Sequence, residues 1–172
     1  LVSGVLQRAE AKNQNGRVYP EEILKRESQK YLDNFVKQRR AMGELDHPES
    51  SVVNLKNVSH NIVDMNWDGK DLVGTVEILP TPSGNILKEL LNSGILLGIS
   101  SRGMGSVKKD MKENADVVQD DFELIAFDFV SNPSTHGAFM YPQGKINESV
   151  ENSKPNVYEN VDKLIQKILG EL

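Results

Sequence analysis

Apolar positions along the chain switch between a period of two and a period near 3.6. Residues 1–9 alternate loosely, with Val2, Gly4 and Leu6 set against Val5 and Gln7, and predict a strand. Asn13-Gln14-Asn15-Gly16 marks a turn, because Asn and Gly tolerate positive φ. Pro20, Glu21 and Glu22 then open a helix, since proline suits a first turn and acids favour its positive end. Ile23, Leu24, Tyr31, Leu32, Phe35 and Val36 follow helical spacing and carry it to about Arg40, and Gly43 ends it or follows shortly after.

Beyond Gly43 the period returns to two. Positions 52–66 read as a strand, with Val58, His60, Ile62 and Asp64 on one face and Ser59, Asn61, Val63 and Met65 on the other. Asp68-Gly69-Lys70 predicts a hairpin turn into a return strand over 72–78. Ser83 is placed to cap a short helix that runs through Leu91 and buries Ile86, Leu87, Leu90 and Leu91. A bend is expected at Ser100, extended chain over 103–107, and an exposed charged loop over 108–116. Val117-Val118 and 122–130 read as strands. A polar stretch follows over 149–155. Val161, Leu164, Ile165, Ile168 and Leu169 then predict an amphipathic helix over 157–172.

These five to seven strands and two or three helices make an α+β protein. The expected architecture is a closed or strongly bent, mainly antiparallel β-barrel flanked by helices. Strands seldom alternate with helices, so a doubly wound sheet is not expected. At 172 residues the chain is long enough for one core. The division drawn is a barrel domain over 1–148, then a linker and terminal helix over 149–172. The chain begins at Leu1, which leaves room for an upstream segment.

The 20 basic and 25 acidic residues give a net charge of −5, which weighs against a nucleic-acid binder. No apolar run approaches the roughly 20 residues that span a bilayer, so no membrane partner is expected. There is no cysteine, which removes disulfides and thiolate chemistry. The three histidines, His47, His60 and His136, lack metal-ligand spacing, so neither a metal nor another cofactor is expected.

The candidate chemistry lies in two glycine-flanked runs. Gly98-Ile99-Ser100-Ser101-Arg102-Gly103-Met104-Gly105 offers a hydroxyl, Ser100 or Ser101, for nucleophilic attack. Gly103 and Gly105 let backbone N–H groups approach a substrate, and Arg102 is expected to place a positive charge near a developing oxyanion. The same run is also what a plain polar turn looks like. Gly43-Glu44-Leu45-Asp46-His47-Pro48 offers an imidazole, which titrates near neutrality and suits proton shuttling. His60 sits on a strand, packed or facing solvent, and His136 sits in a loop. Asp128, between Phe127 and Phe129, is either a buried acid needing a partner or an outward-facing one. Glu44 and Asp46 are alternative orienting acids.

Four runs occur in the order and at the separations found in the prohead (procapsid maturation) proteases of T-even-like tailed phages. They are Asn13-x-Asn15-Gly16-Arg17-Val18-Tyr19-Pro20, Gly43 to Pro48, Gly98 to Gly105, and Asp128-x-Val130-x-x-Pro133-Ser134. The chain resembles that family over about residues 4–140. The family is related to the herpesvirus assembly proteases, which implies a seven-stranded barrel surrounded by helices. The resemblance implies a serine endopeptidase inside the procapsid, in the host cytoplasm, acting on scaffold and core proteins, the major capsid protein and itself. A homo-oligomer is expected. The family histidine falls on His47 and the nucleophile on Ser100. Asp128 stands where the herpesvirus enzymes carry a second histidine, with His136 as its substitute, and Ser101, Arg102 and Gly103 fall to the oxyanion or substrate side. Cleavage after glutamate in an aliphatic-x-Glu context is also implied. Such sites end at Glu148, Glu159 and Glu171, whereas Glu44 is expected to be protected by the fold. The competing readings are an inactive procapsid core protein and a small-molecule serine hydrolase.

Overall fold

The computed structural model describes residues 1–143. The boundary at 148, the terminal helix and the three terminal cleavage sites lie outside the described residues. In chain order the elements are β1 (Val2–Arg8), β2 (Arg17–Val18), α1 (Glu21–Tyr31), β3 (Met42–Glu44), β4 (Val58–Asp68), β5 (Asp71–Ile78) and α2 (Pro82–Asn92). Then follow β6 (Gly98–Met104), β7 (Val107–Asp110), β8 (Ala115–Val118), β9 (Glu123–Val130) and β10 (Tyr141–Pro142).

The strands form three ladders: β10-β1-β5-β4-β3, β2-β8-β7 and β6-β9. Isolated bridges join β6-β9 to the large sheet, Leu45 to Phe129 on one side and Gly98 to Phe139 on the other. The segment around residues 138–142 thus runs from β6 to the free edge of β1. Among the described residues the ladders do not close into a continuous barrel. Over the described residues the result is a mixed α/β fold of mostly antiparallel strands with two α-helices.

The core lies between these sheets and α1, and includes Leu6, Leu24, Ile62, Val76, Phe127 and Phe129. The expected helix to Arg40 divides into α1 and a π-helical turn over Leu32–Val36. Tyr31, where the two join, packs edge-on against Phe127. In α2 the cap is Thr81, whose Oγ1 accepts from Gly84 N–H at 3.0 Å, and Pro82 takes the first helical position. Ser83, the expected cap, lies inside the helix. None of the helices among the described residues is long and apolar enough to cross a membrane.

Two expectations fail in the region of the candidate site. Ser100 lies in the middle of β6, not in a bend. The glycines around it serve close packing: a Cβ on Gly98 would run into the Pro133 ring, and one on Gly103 would overlap Phe122. The charged stretch 108–116 is mostly a hairpin, β7 to β8, turning through Asn114 at φ +49°.

Candidate active site

Ser100 stands on β6 directly opposite Asp128 on β9. Opposed residues of an antiparallel pair project to the same side with Cβ atoms about 4.5–5.5 Å apart. Register alone therefore puts the two side chains on the same face of the pair. The third group arrives from the loop after β3. Leu45 bridges to Phe129, and Asp46 N–H donates to Phe129 O at 2.7 Å, which ties this loop to β9 one residue past Asp128. Asp46 adopts φ +71°, and its Oδ1 accepts from His47 N–H at 2.9 Å. That turn carries the imidazole over β9, where His47 Nδ1 lies 2.8 Å from Asp128 Oδ2.

The pair is asymmetric in exposure. The His47 side chain is 36% exposed and that of Asp128 is 0%. A carboxylate at Nδ1 accepts that proton, which leaves Nε2 of the neutral ring as the free base. Asp128 Oδ1 accepts from Glu44 N–H at 3.0 Å and from Arg102 Nη2 at 3.1 Å. Arg102 Nε lies 2.9 Å from Asp128 Oδ2, a charge contact out of line for a hydrogen bond. A buried carboxylate needs partners of this kind to remain charged.

Ser100 Oγ shares a hydrogen bond of 2.9 Å with Ser134 Oγ. Ser100, Ser134 and His47 line one polar cleft of about 320 Å³, together with Arg17, Tyr19 and Asn132. Ser101 borders the same cleft, but its hydroxyl donates to Gln7 Oε1 at 3.0 Å. Alternation along β6 explains the difference between the two serines.

Arg102 and Gly103 do not border the cleft. Arg102 was expected beside an oxyanion, and its guanidinium is instead buried among acceptors. Nη2 donates to Glu44 Oε2 at 3.0 Å and Nη1 to Ser50 O at 2.9 Å. Gly103 follows an irregularity in the β6-β9 register and packs against Phe122. His136 is exposed outside the cleft. Two cleft-side features escaped notice as candidates. Ser134 and the Arg17–Tyr19 segment both fall within the quoted runs, and those runs were the signal that could have found them.

His60 occupies a different environment. It is fully buried, with Nε2 donating to Phe127 O at 2.7 Å and Nδ1 taking the Ser59 hydroxyl at 2.8 Å. Burial pushes its pKa down to about 4, against the opposing pull of the Phe127 carbonyl and the Asp128 charge. Among the described residues no group of three or more His, Asp and Glu is gathered as a metal ion requires.

Residues 1–151 match the family described as prohead core protein serine protease. The chain belongs to that family. It is 33% identical over 151 residues to the prohead core protein protease of Enterobacteria phage T4, covering 86% of this chain and 70% of that one. The solved structure of the bacteriophage T4 capsid assembly protease superposes with a TM-score of 0.73 at 31% identity. That match covers 76% of this chain and 81% of the other.

Proposed function

We propose that this chain is a serine endopeptidase of phage procapsid maturation, with Ser100 as nucleophile, His47 as general base and Asp128 as the orienting acid. The observation that carries the reading is the 2.8 Å contact of His47 with a fully buried Asp128, in register with Ser100 at the same cleft. Ser100 Oγ attacks the scissile carbonyl carbon and its proton passes to His47 Nε2. The tetrahedral intermediate collapses, the C–N bond breaks, and His47 returns the proton to the leaving amine. Water then attacks the acyl-enzyme, gives its proton to His47, and releases the carboxylic acid and free Ser100. Asp128 stabilises the imidazolium in both halves, and Ser134 orients the Ser100 hydroxyl. Ser101 borders the cleft, and its main-chain N–H is the donor to the oxyanion in this reading.

The substrates in this reading are procapsid core and scaffold proteins and the major capsid protein, met inside the immature capsid in the host cytoplasm. The enzyme works as a homo-oligomer without nucleic acid or membrane. Cleavage follows glutamate in an aliphatic-x-Glu context, and self-cleavage falls after Glu148, Glu159 or Glu171. Glu44 also ends such a site, but it lies in β3 and is 1% exposed, so the folded enzyme spares it.

A fluorophosphonate should label Ser100 and leave Ser100→Ala unlabelled. The active protein should cut a purified procapsid core protein, and intact-mass spectrometry should show its own tail shortened. Ser100→Ala should lose both activities by on the order of a million-fold with its fold unchanged. Absence of label on folded protein would favour an inactive core protein. Label without cleavage of any capsid or core protein would favour a small-molecule hydrolase.

A further inference from the structure

Beneath the His47–Asp128 pair lie two buried residues, Glu44 and Arg102, that the reaction as written does not use. Glu44 is 1% exposed, Arg102 is 8% exposed, and Asp128 has no exposed surface. One guanidinium thus sits between two carboxylates, reaching Glu44 at 3.0 Å and Asp128 at 2.9 and 3.1 Å. Every other partner of these carboxylates is a donor or an imidazole. Glu44 accepts from Asn54 N–H at 3.2 Å and from Asn57 Nδ2 at 3.3 Å, and Asp128 accepts from Glu44 N–H. Such a shell of donors is the one a carboxylate anion requires. The buried group therefore holds one negative charge in excess, facing the Nδ1 side of His47.

Resting on the triad reading above, we propose that Glu44 and Arg102 are positioning residues for His47. Arg102 fixes the Asp128 carboxylate so that Oδ2 meets Nδ1. Glu44 offsets the arginine, so the excess charge is cancelled only when His47 becomes imidazolium. Without Glu44, the guanidinium would neutralise Asp128 and weaken its attraction for the imidazolium. The same residue supplies both parts of the arrangement, its N–H to Asp128 and its carboxylate to Arg102. Other charged groups near His47 are Asp46, whose Oδ1 accepts from the His47 main-chain N–H, and Arg17 in the cleft. Arg102 also donates to Ser50 O, so the loop that follows His47 is tied to the same guanidinium.

The test compares wild type, Glu44→Gln, Glu44→Asp and Arg102→Lys by steady-state cleavage of a peptide across the pH range where histidine titrates. Glu44→Gln keeps the shape and an acceptor for Arg102 but loses the charge. Its kcat should fall by about 10- to 100-fold, the range in which outer partners of a site generally act, with KM little changed. The acidic limb of its profile should move to lower pH by about one unit. Glu44→Asp, which keeps the charge, should return the limb toward wild type. Arg102→Lys should lose kcat, because an ammonium cannot span Glu44 and Asp128 as the planar fork does.

A wild-type profile in folded Glu44→Gln would overturn the proposal while the triad reading stands. Failure of wild type to take a fluorophosphonate at Ser100 would overturn the triad reading itself. If Glu44→Gln does not fold, Arg102→Lys carries the test, and unchanged kcat there overturns the proposal. If neither variant folds, the group serves stability alone and the proposal falls.

Discussion

The two histidines that meet β9 show how differently one strand can hold an imidazole. His60 takes the main-chain carbonyl of Phe127, and His47 takes the side-chain carboxylate of the next residue, Asp128. His60 also has a serine at 2.8 Å, so on composition it looks as much like catalytic equipment as His47 does. Yet both of its nitrogens are engaged inside the core, and Phe129 packs edge-on against the ring at 4.8 Å. Its partner oxygen is a neutral carbonyl, and burial resists the charged ring. His47 has a charged partner at one nitrogen and an open cleft beside it. Access and a counter-charge separate the two, more than the presence of a neighbouring hydroxyl.

The largest expected effect that tests this contrast is on the His47 side. Asp128→Asn keeps the volume but removes the charge and turns an acceptor toward a donor. Peptide cleavage should fall about ten-thousand-fold in kcat, as the equivalent change does in a well-characterised triad. A loss of less than tenfold, by the same assay, would mean that His47 does not depend on this partner.

Gly43→Ala should break the other side. Gly43 pairs with His60 across the β3-β4 ladder, and a Cβ there would overlap both His60 Nε2 and Phe127 O. The expected cost is more than about 3 kcal/mol, read as a lowered urea midpoint or loss of soluble protein. Because β3 leads into the loop of His47, soluble variant should also lose activity. Normal stability would show that the His60 pocket is looser than its contacts indicate.

The smallest effect is the pH dependence that His60 imposes. Its folded pKa of about 4 lies below the ordinary 6.5. Above about pH 6.5 the ring is neutral in both states, and its contribution to stability is fully present. As pH falls toward 4 the unfolded chain binds a proton that the folded chain refuses, so stability declines, by on the order of 2–3 kcal/mol. Below the folded pKa the decline from this group levels off. Urea unfolding from pH 7 to 4 should show the slope, and His60→Gln should remove it while leaving kcat within a small factor. A slope unchanged by His60→Gln would assign the acid sensitivity to other groups.

Elements with a clean period were legible in the sequence. The first strand, the hairpin turning at Asp68-Gly69-Lys70 and the helix ending near Leu91 all occur close to where alternation and turn residues put them. Periodicity failed where a strand is buried on both faces. In β9, Ala126, Phe127, Asp128 and Phe129 are all buried, so alternation could not tell which way Asp128 points. Gly98 and Gly103 suggested a bend because glycine is read first as a turn residue, whereas here it admits a proline ring and a phenylalanine at close range. Arg102 stands beside Ser100 in sequence, but two of its acceptors, Glu44 and Ser50, are more than fifty residues away and a further one, Asp128, is on another strand. Long-range charge pairing leaves no local mark.

The separation of these groups along the chain also bears on when cutting can begin. His47 and Asp128 are 81 residues apart, and Ser134 reaches Ser100 across 34. No short fragment contains the cleft, and a nascent chain cannot assemble it until the ribosome has released residue 134. Contacts of such span form late, after the entropy of closing long loops has been overcome. The cleft and the cover over Glu44 therefore form together, since Arg102 and Asp128 contribute to both.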